Sequence, residues 1–377
     1  MTTRNTRIAI IGGGLSGLYA AALLDQRGLT DWALIEARET LGGRIVSTPV
    51  LPVAIQGQAE TTARHDRVDL GASWFWPACQ PQLDRVVHDL GIERFAQHAE
   101  GDMLVERSAH AAPARTRGHE SVPPSMRLLG GMGSLIDALR SRLDVARLSS
   151  GVTAQKLRHT PAGVELLCVD IRGQAHAWRA QHVLLALPPR LAIHSIDWEP
   201  RLPPLLAERW RATDTWMAPH AKYVAVYDRP FWRLHGLSGE ARSFQGPLAE
   251  IHDASMPGGS AALFGFLGVP AGLRQGVAED VLRAHCRAQL ARLFGPEAST
   301  PRAEFLKDWA FDPCTAAAAE GESLGQHPEA PPAAVPSGPW AGRLTGIGSE
   351  WSRDFPGYVA GAIEAASAGV DALAPRG

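Results

Sequence analysis

Four apolar residues, Ile8-Ala9-Ile10-Ile11, run straight into Gly12, Gly13, Gly14 and Gly17, and few architectures accept that order. An apolar tetrad of this length reads as a short buried strand. The small-residue stretch from Leu15 to Gln26 then reads as a helix stopped by Gly28. Trp32 to Ile35 predicts a second strand, and Glu36 closes it about 20 residues after the glycines. Strand, glycine turn, helix and acid-terminated strand make up the βαβ unit that holds a dinucleotide. Gly12 permits the tight turn, Gly14 lets backbone approach a pyrophosphate, and Gly17 lets helix and strand pack closely. The helix N-terminus, with Ser16 in its first turn, offers N–H groups and a partial positive charge to phosphates. Glu36 is placed to accept hydrogen bonds from a ribose diol, and its charge would repel a 2′-phosphate.

A glycine triplet alone can mark any tight strand-to-helix turn. Leu41-Gly42-Gly43-Arg44 narrows the reading. A glycine pair lets backbone come close to a bound pyrophosphate, and Arg44 can neutralise it with paired hydrogen bonds. NAD enzymes do not need this second element, whereas large flavoproteins of the glutathione-reductase-like class do. The nucleotide is therefore expected to be FAD.

At 377 residues the chain is long enough for two domains, and its 45% hydrophobic and 20% charged shares are those of an ordinary globular protein. A net charge of -2 gives no reason to expect nucleic acid or an acidic membrane as partner. Cys79, Cys168, Cys286 and Cys314 show neither metal spacing nor a CxxC pair, so free thiols and no metal are expected. No stretch approaches the length of a spanning helix, no signal peptide fits before Ile8, and Ala374 to Gly377 carries no tail anchor. The expectation is a soluble, cytoplasmic protein.

Farther along, Asp69 to Pro77 is a glycine turn running into an aromatic cluster, and Pro81 to Gly91 predicts an amphipathic helix. Residues 99 to 125 read as irregular surface. Gly130-Gly131-Met132-Gly133 introduces a helix over Ser134 to Arg142. Strands are expected at Val152 to Leu157, Val164 to Val169, His182 to Leu187 and Tyr223 to Tyr227, and a long helix at Val277 to Phe294. Ala330 to Pro339 reads as a connecting loop. Gly348-Ser349-Glu350, then Phe355 to Ala366, is an exposed turn feeding an Ala/Gly helix over Gly357 to Leu373. By pattern that helix is either a closely packed one or one whose dipole faces a reduced ring. Lys222 starts an apolar strand, where a lysine is ordinarily just solvated.

These pieces resemble the flavin-dependent monoamine oxidase family. The resemblance runs through Gly12–Gly17, Glu36-Ala37-Arg38, Gly42-Gly43-Arg44, Asp69–Trp74, Gly130-Gly131-Met132, Val152, Leu187-Pro188-Pro189, Lys222 with Phe231-Trp232, and Gly348–Ala366. It implies an α/β, two-domain flavoprotein. A Rossmann-like FAD-binding domain is assembled from residues 1–80, 130–200 and 338–377, with a smaller α+β substrate domain from 81–129 and 201–337. By the same resemblance Glu36 binds the ribose, Arg38 and Arg44 flank the phosphates, and Val152 touches the adenine through its backbone. Ser349 and Glu350 lie by the ribityl chain and pyrophosphate. Gly71, Ala72, Ser73, Trp74, Gly357 and Val359 complete the cofactor set. Lys222 matches the lysine that holds a water near flavin N5, where a cation would favour reduced flavin and its reaction with dioxygen. Tyr358 matches one wall of an aromatic cage for the amine, and Phe355 stands where the family usually has tryptophan.

The departures from the family matter as much. The second cage tyrosine and the cysteine that tethers FAD in mitochondrial members should follow Asp312-Pro313-Cys314-Thr315, where the chain reads Ala316-Ala317-Ala318-Ala319. FAD is therefore expected without a covalent link, in a half-open cage. The span from Gly71 to Gly130 is shorter than usual for the family, which implies a more open pocket, a missing lid, or a surface completed by a second subunit in a homo-oligomer. The resemblance implies oxidation of an amine C–N bond to an imine by hydride transfer to N5, with dioxygen reoxidising the flavin to give peroxide. Two other readings stay open. One is a flavin desaturase or dehydrogenase acting on a larger apolar substrate, and the other a flavin-binding protein without turnover.

Overall fold

A computed structural model describes residues 3–50, 65–118, 120–317 and 329–373. Packing divides the chain into two compact units, one of residues 1–44, 135–218 and 312–377, the other of 45–134 and 219–311.

The first unit is built on an eight-stranded sheet. Thr3–Ile11 lies at its parallel centre, between Trp32–Ile35 on one side and Ala175–Leu185 on the other, and Leu148–Ser149 follows Trp32–Ile35 at the edge. Ala175–Leu185 is long enough to serve two neighbours. Its first half pairs antiparallel with Gly163–Asp170, and its last three residues pair parallel with Leu344–Gly346. That strand joins the parallel core to a wing in which Val152–Thr160 pairs antiparallel with Gly163–Asp170 and parallel with Asp197–Glu199. The expected strand at His182 to Leu187 is thus the C-terminal part of a longer one. The helix Leu15–Gln26 has apolar residues buried around most of its circumference. A helix apolar all round belongs between layers. Here one neighbour is the small-residue helix Val359–Asp371.

Beneath the turn Ser349–Trp351, tryptophans stack edge to face. Trp351 meets Trp210 at 5.4 Å between centroids, Trp210 meets Trp198 at 6.3 Å, and Trp198 meets Trp340 at 5.5 Å. Three of these indoles donate to backbone carbonyls, Trp210 to Pro332, Trp198 to Ala192 and Trp340 to Pro200. Such a stack buries large area at low conformational entropy and makes a rigid support for the turn.

The second unit holds a seven-stranded sheet in the order Ala303–Asp308, Ala221–Tyr227, Ala261–Leu267, Leu248–Asp253, Leu237–Ser243, Asp102–Glu106, Ala114–Arg117. Its two faces are different. Tyr223, Ala225, Ile251 and Leu263 share a core with Cys286, Leu290 and Phe294 of the helix Glu279–Phe294. The opposite face, one residue out of step, carries Lys222, Phe264, Phe266, His252 and Glu250 in register.

Two differences from the sequence reading stand out. Residues 99–125 were expected to be irregular, yet Asp102–Glu106 and Ala114–Arg117 are strands. Ala114–Arg117 is an exposed edge strand and Asp102–Glu106 buries only Leu104 and Glu106, so no apolar alternation marks them. Of the described residues expected with the FAD-binding domain, 45–50 and 65–80 pack in the second unit. There Ser47–Pro49 pairs with Arg67–Asp69, and Trp74 packs on Phe264. No helix among the described residues is long and apolar enough to cross a membrane.

Candidate functional site

In the first unit three distant segments converge as their motifs imply. Gly14 and Gly42 form an isolated bridge, and Gly42 N–H donates to Gly13 at 2.9 Å, which holds the two glycine turns side by side. Gly43 sits at φ +59°, and a Cβ there would lie 3.2 Å from the Gly14 Cα, so backbone faces backbone with no side chain between. No side chain caps Gly14 at the start of the helix. The first-turn N–H groups, with Ser16 and Gly17 among them, are thereby left to a ligand's oxygens. Glu36 is 4% exposed at the end of its strand. Its carboxylate accepts from Gly13 N at 2.6 Å and Arg38 N at 2.7 Å. Each oxygen keeps lone-pair capacity for a diol.

Arg44 reaches across some three hundred positions of sequence to Glu350. Its guanidinium donates to the Glu350 carboxylate at 2.5 and 3.1 Å and to Ser349 Oγ at 3.0 Å. Glu350 is fully buried. A buried carboxylate needs such a paired cation, and the fork geometry fixes both partners. Arg38 donates through Nη2 to Asp312 at 2.6 Å and to Thr315 at 2.9 Å, and its Nη1 stands 3.9 Å from the Glu36 carboxylate. The Val152 N–H donates to the Glu36 carbonyl at 2.9 Å, so any contact with an adenine runs through other atoms. Gly357, Tyr358 and Val359 form the entry to the last helix, with Phe355 tied in by Ser352 Oγ and by its carbonyl to Tyr358 N–H. The Tyr358 ring packs at 4.7 Å on Trp216, which sequence reasoning missed. Met217, beside it, is the one non-glycine residue at positive φ among those described, and backbone strain of that kind gathers at functional sites.

Lys222 in the second unit is not the solvated strand-end lysine of the bland expectation. It is 2% exposed, donates to Gly71 O at 3.2 Å and Ser73 Oγ at 2.6 Å, and stands 4.0 Å over the Phe264 ring. Burial pulls its pKa down to about 7, against the opposing charge of buried Asp69. Asp69 accepts from Ser47 Oγ and from Met132 N at 3.0 Å, which ties the Gly130–Gly133 turn to this lysine's surroundings. Burial raises the Asp69 pKa, with Lys222 and Arg127 acting in the other direction. Of the Gly71–Trp74 segment, Gly71 and Ser73 are thus brought onto Lys222 itself. Trp74 closes an aromatic floor with Phe264, Phe266 and His252 at 5.3, 6.5 and 4.9 Å. The sequence signal for Phe264 and Phe266 was their shared parity with Lys222, legible only once strand pairing is known.

The first unit fits a dinucleotide on these grounds: a cradle of bare backbone, an open helix N-terminus and a carboxylate at the strand end. Replacing Glu36 by alanine removes a charged hydrogen bond worth about 1.5–3 kcal/mol. FAD retention should fall at least about tenfold, and equilibrium dialysis checks this. The milder Glu36→Gln should retain more, and unchanged retention in both variants would remove Glu36 from the site.

Residues 97–374 match the family described as flavin containing amine oxidoreductase, and residues 10–90 match the NAD(P)-binding Rossmann-like domain. A protein of Dictyostelium discoideum named as a flavin-containing monoamine oxidase A is 29% identical over 208 residues, 52% of this chain and 42% of that protein. A flavin-containing monoamine oxidase of Mycobacterium tuberculosis is 29% identical over 251 residues, 63% of this chain and 50% of that one. An L-amino acid dehydrogenase of Synechocystis is 26% identical over 270 residues, 68% of this chain and 54% of that protein. The chain spans about half the length of the curated relatives it matches. Among solved structures, putrescine oxidase bound to putrescine superposes with a TM-score of 0.78 at 20% identity, covering 98% of this chain and 99% of that one. Cyclohexylamine oxidase from Brevibacterium oxydans gives 0.78 at 17% identity, covering 98% of each. These likenesses establish the fold.

Proposed function

Because the chain belongs to the family of flavin-containing amine oxidoreductases and its cofactor is FAD, we propose that it oxidises a small-molecule amine to an imine, with dioxygen as electron acceptor. The observation that carries the reading is Lys222: a buried lysine on an aromatic floor, in a family whose cofactor is a flavin. When bound, FAD would supply the two-electron acceptor for the amine's hydride equivalent, with dioxygen as the final oxidant and peroxide as its product.

The chain's own residues would do the following. Glu36 orients the ribose. Arg44, fixed by Glu350 and Ser349, offers its remaining donor capacity to the pyrophosphate, with Gly12, Gly14, Gly43 and the helix N-terminus around it. Gly71 to Trp74 serve the cofactor through the backbone and hydroxyl that also hold Lys222. Lys222 holds a water at the flavin edge and sets the charge there. Tyr358 guides the amine, and Trp216 replaces the cage tyrosine that the Ala316–Ala319 run lacks. The rings attract the ammonium by cation–π contact and keep its surroundings dry, which favours the neutral amine. Of that run Ala318 and Ala319 lie outside the described residues. The alanines and the early position of Cys314 support FAD held without a covalent link. A homo-oligomer and a cytoplasmic location go with the reading, supported by the short 71–130 span and by four free cysteines respectively.

The yellow holoenzyme should bleach when mixed anaerobically with an amine of its class and release peroxide stoichiometrically on admission of oxygen. A panel of primary amines that leaves the flavin spectrum unchanged would overturn the reading. The relative named as a dehydrogenase favours a second one, in which another acceptor replaces dioxygen. In that case bleaching occurs without peroxide.

A further inference from the structure

Asp69, Arg127 and Lys222 are 5, 3 and 2% exposed, and all three lie in the second unit. Among the described residues none of them stands at ion-pair distance from an opposite charge. Lys222 is held by neutral acceptors, Gly71 O and Ser73 Oγ. Arg127, in the strand Met126–Leu128, donates to the carbonyls of Ser255 and Ala254 at 2.9 and 3.0 Å. Asp69, at the end of Arg67–Asp69, offers Oδ1 to Ser47 Oγ and Met132 N. Among the described residues the buried Arg127 Nε and Asp69 Oδ2 have no hydrogen-bond partner.

Two cations therefore share one carboxylate at longer range, and burial opposes every charge in the set. A guanidinium does not give up its proton inside a protein. Burial acts against the Asp69 carboxylate, while Lys222, Arg127 and the two accepted hydrogen bonds act for it. The surplus positive charge thus falls on Lys222, the cation whose proton can leave. Burial opposes the Lys222 ammonium most, Asp69 favours it, and Arg127 opposes it. Other charged and titratable groups around this face are engaged elsewhere. Glu250 and His252 bond to each other at 2.6 Å, and Asp253 is held by Trp232 and Arg233. Lys307, opposite Lys222 in the sheet, stands 4.6 Å over the Trp309 ring, and His220 packs on Phe266 at 6.5 Å.

We propose that Asp69 and Arg127 are positioning residues that set the charge on Lys222, Asp69 holding its proton on and Arg127 driving it off. The inference rests on the amine-oxidation reading only for its consequence in turnover. Lys156 and Lys307 are the only other lysines of the chain, so in holoenzyme carrying carbon-13-labelled lysine Lys222 is one of three signals. Its loss in Lys222→Met identifies it. The Lys222 midpoint, about 7 in the wild type, should fall by about one pH unit or more in Asp69→Asn and rise by about as much in Arg127→Gln. Purely structural roles would not move it in opposite directions. The pH at which flavin reoxidation slows should move with the midpoint in each variant. Where neither variant folds, the reciprocal effect decides. With aspartate carboxyls labelled, one midpoint should rise in Lys222→Met, because Asp69 has lost a cation. A Lys222 midpoint that stays put in either variant, or moves against its expected sign, overturns the proposal, as does an aspartate titration unchanged by Lys222→Met. Opposed shifts without any bleaching of the flavin by amines would sustain the pair and bring down the oxidation reading instead.

Discussion

Gly17→Ala should purify with less than about a tenth of the wild-type flavin and unfold at a lower temperature. A Cβ at residue 17 would stand 2.0 Å from the Gly12 carbonyl oxygen and 3.3 Å from the Ala186 Cβ. Gly12 cannot yield in turn. It sits at φ +108° with its own hydrogen face 2.5 Å from the Ala186 carbonyl oxygen, measured to an ideal Cβ. The methyl must therefore push the helix Leu15–Gln26 off the turn that carries the phosphate-binding N–H groups. Overpacking of this kind costs about 1–3 kcal/mol even where side chains can move, and here the neighbour is backbone. Gly272→Ala is the control, because nothing lies within 4 Å of its position and its backbone is ordinary. It should leave flavin content unchanged and stability equal or slightly higher. Wild-type flavin content in Gly17→Ala, read from the ratio of 450 to 280 nm absorbance, would show that the turn can relax.

The same contact explains why the nucleotide end was legible in the sequence. Its constraint is local and steric, so glycines at fixed spacing report it. The helix Leu15–Gln26 and the strand Trp32–Ile35 were delimited to the residue. Arg44 and Glu350 could each be singled out, but only folding shows that they are one bidentate pair. The substrate end obeys different physics. The strand Ala221–Tyr227 is buried on both faces, so it reads as a continuous apolar run and hides which side Lys222 shares with Phe264 and Phe266. Trp216 belongs to no motif, and its place beside the Tyr358 ring is a fact of tertiary structure. The exposed edge strand Ala114–Arg117 leaves no apolar trace for the same reason that it needs none.

Lys222→Met should slow at least one half-reaction, flavin reduction or reoxidation, by about tenfold or more, without loss of thermal stability. The two readouts are expected to separate because they depend on opposite properties of the ammonium. Its pKa of about 7, against an ordinary 10.5, means that the fold disfavours the charged form. That penalty is fully present below pH 7 and is relieved as pH rises from about 7 towards 10.5, so wild-type stability gains with pH in that window. Methionine fills similar volume and carries no charge, which removes the penalty, although Ser73 Oγ and Gly71 O lose their donor. A purely structural lysine would show only this stability effect. If the charge assists reoxidation by dioxygen, the wild-type oxidative rate should fall as pH rises through about 7, and the variant's should stay flat and low. Stopped-flow traces of each half-reaction between pH 6 and 9 decide the matter. Near-normal rates for both halves in Lys222→Met would leave the lysine a passive member of the aromatic floor.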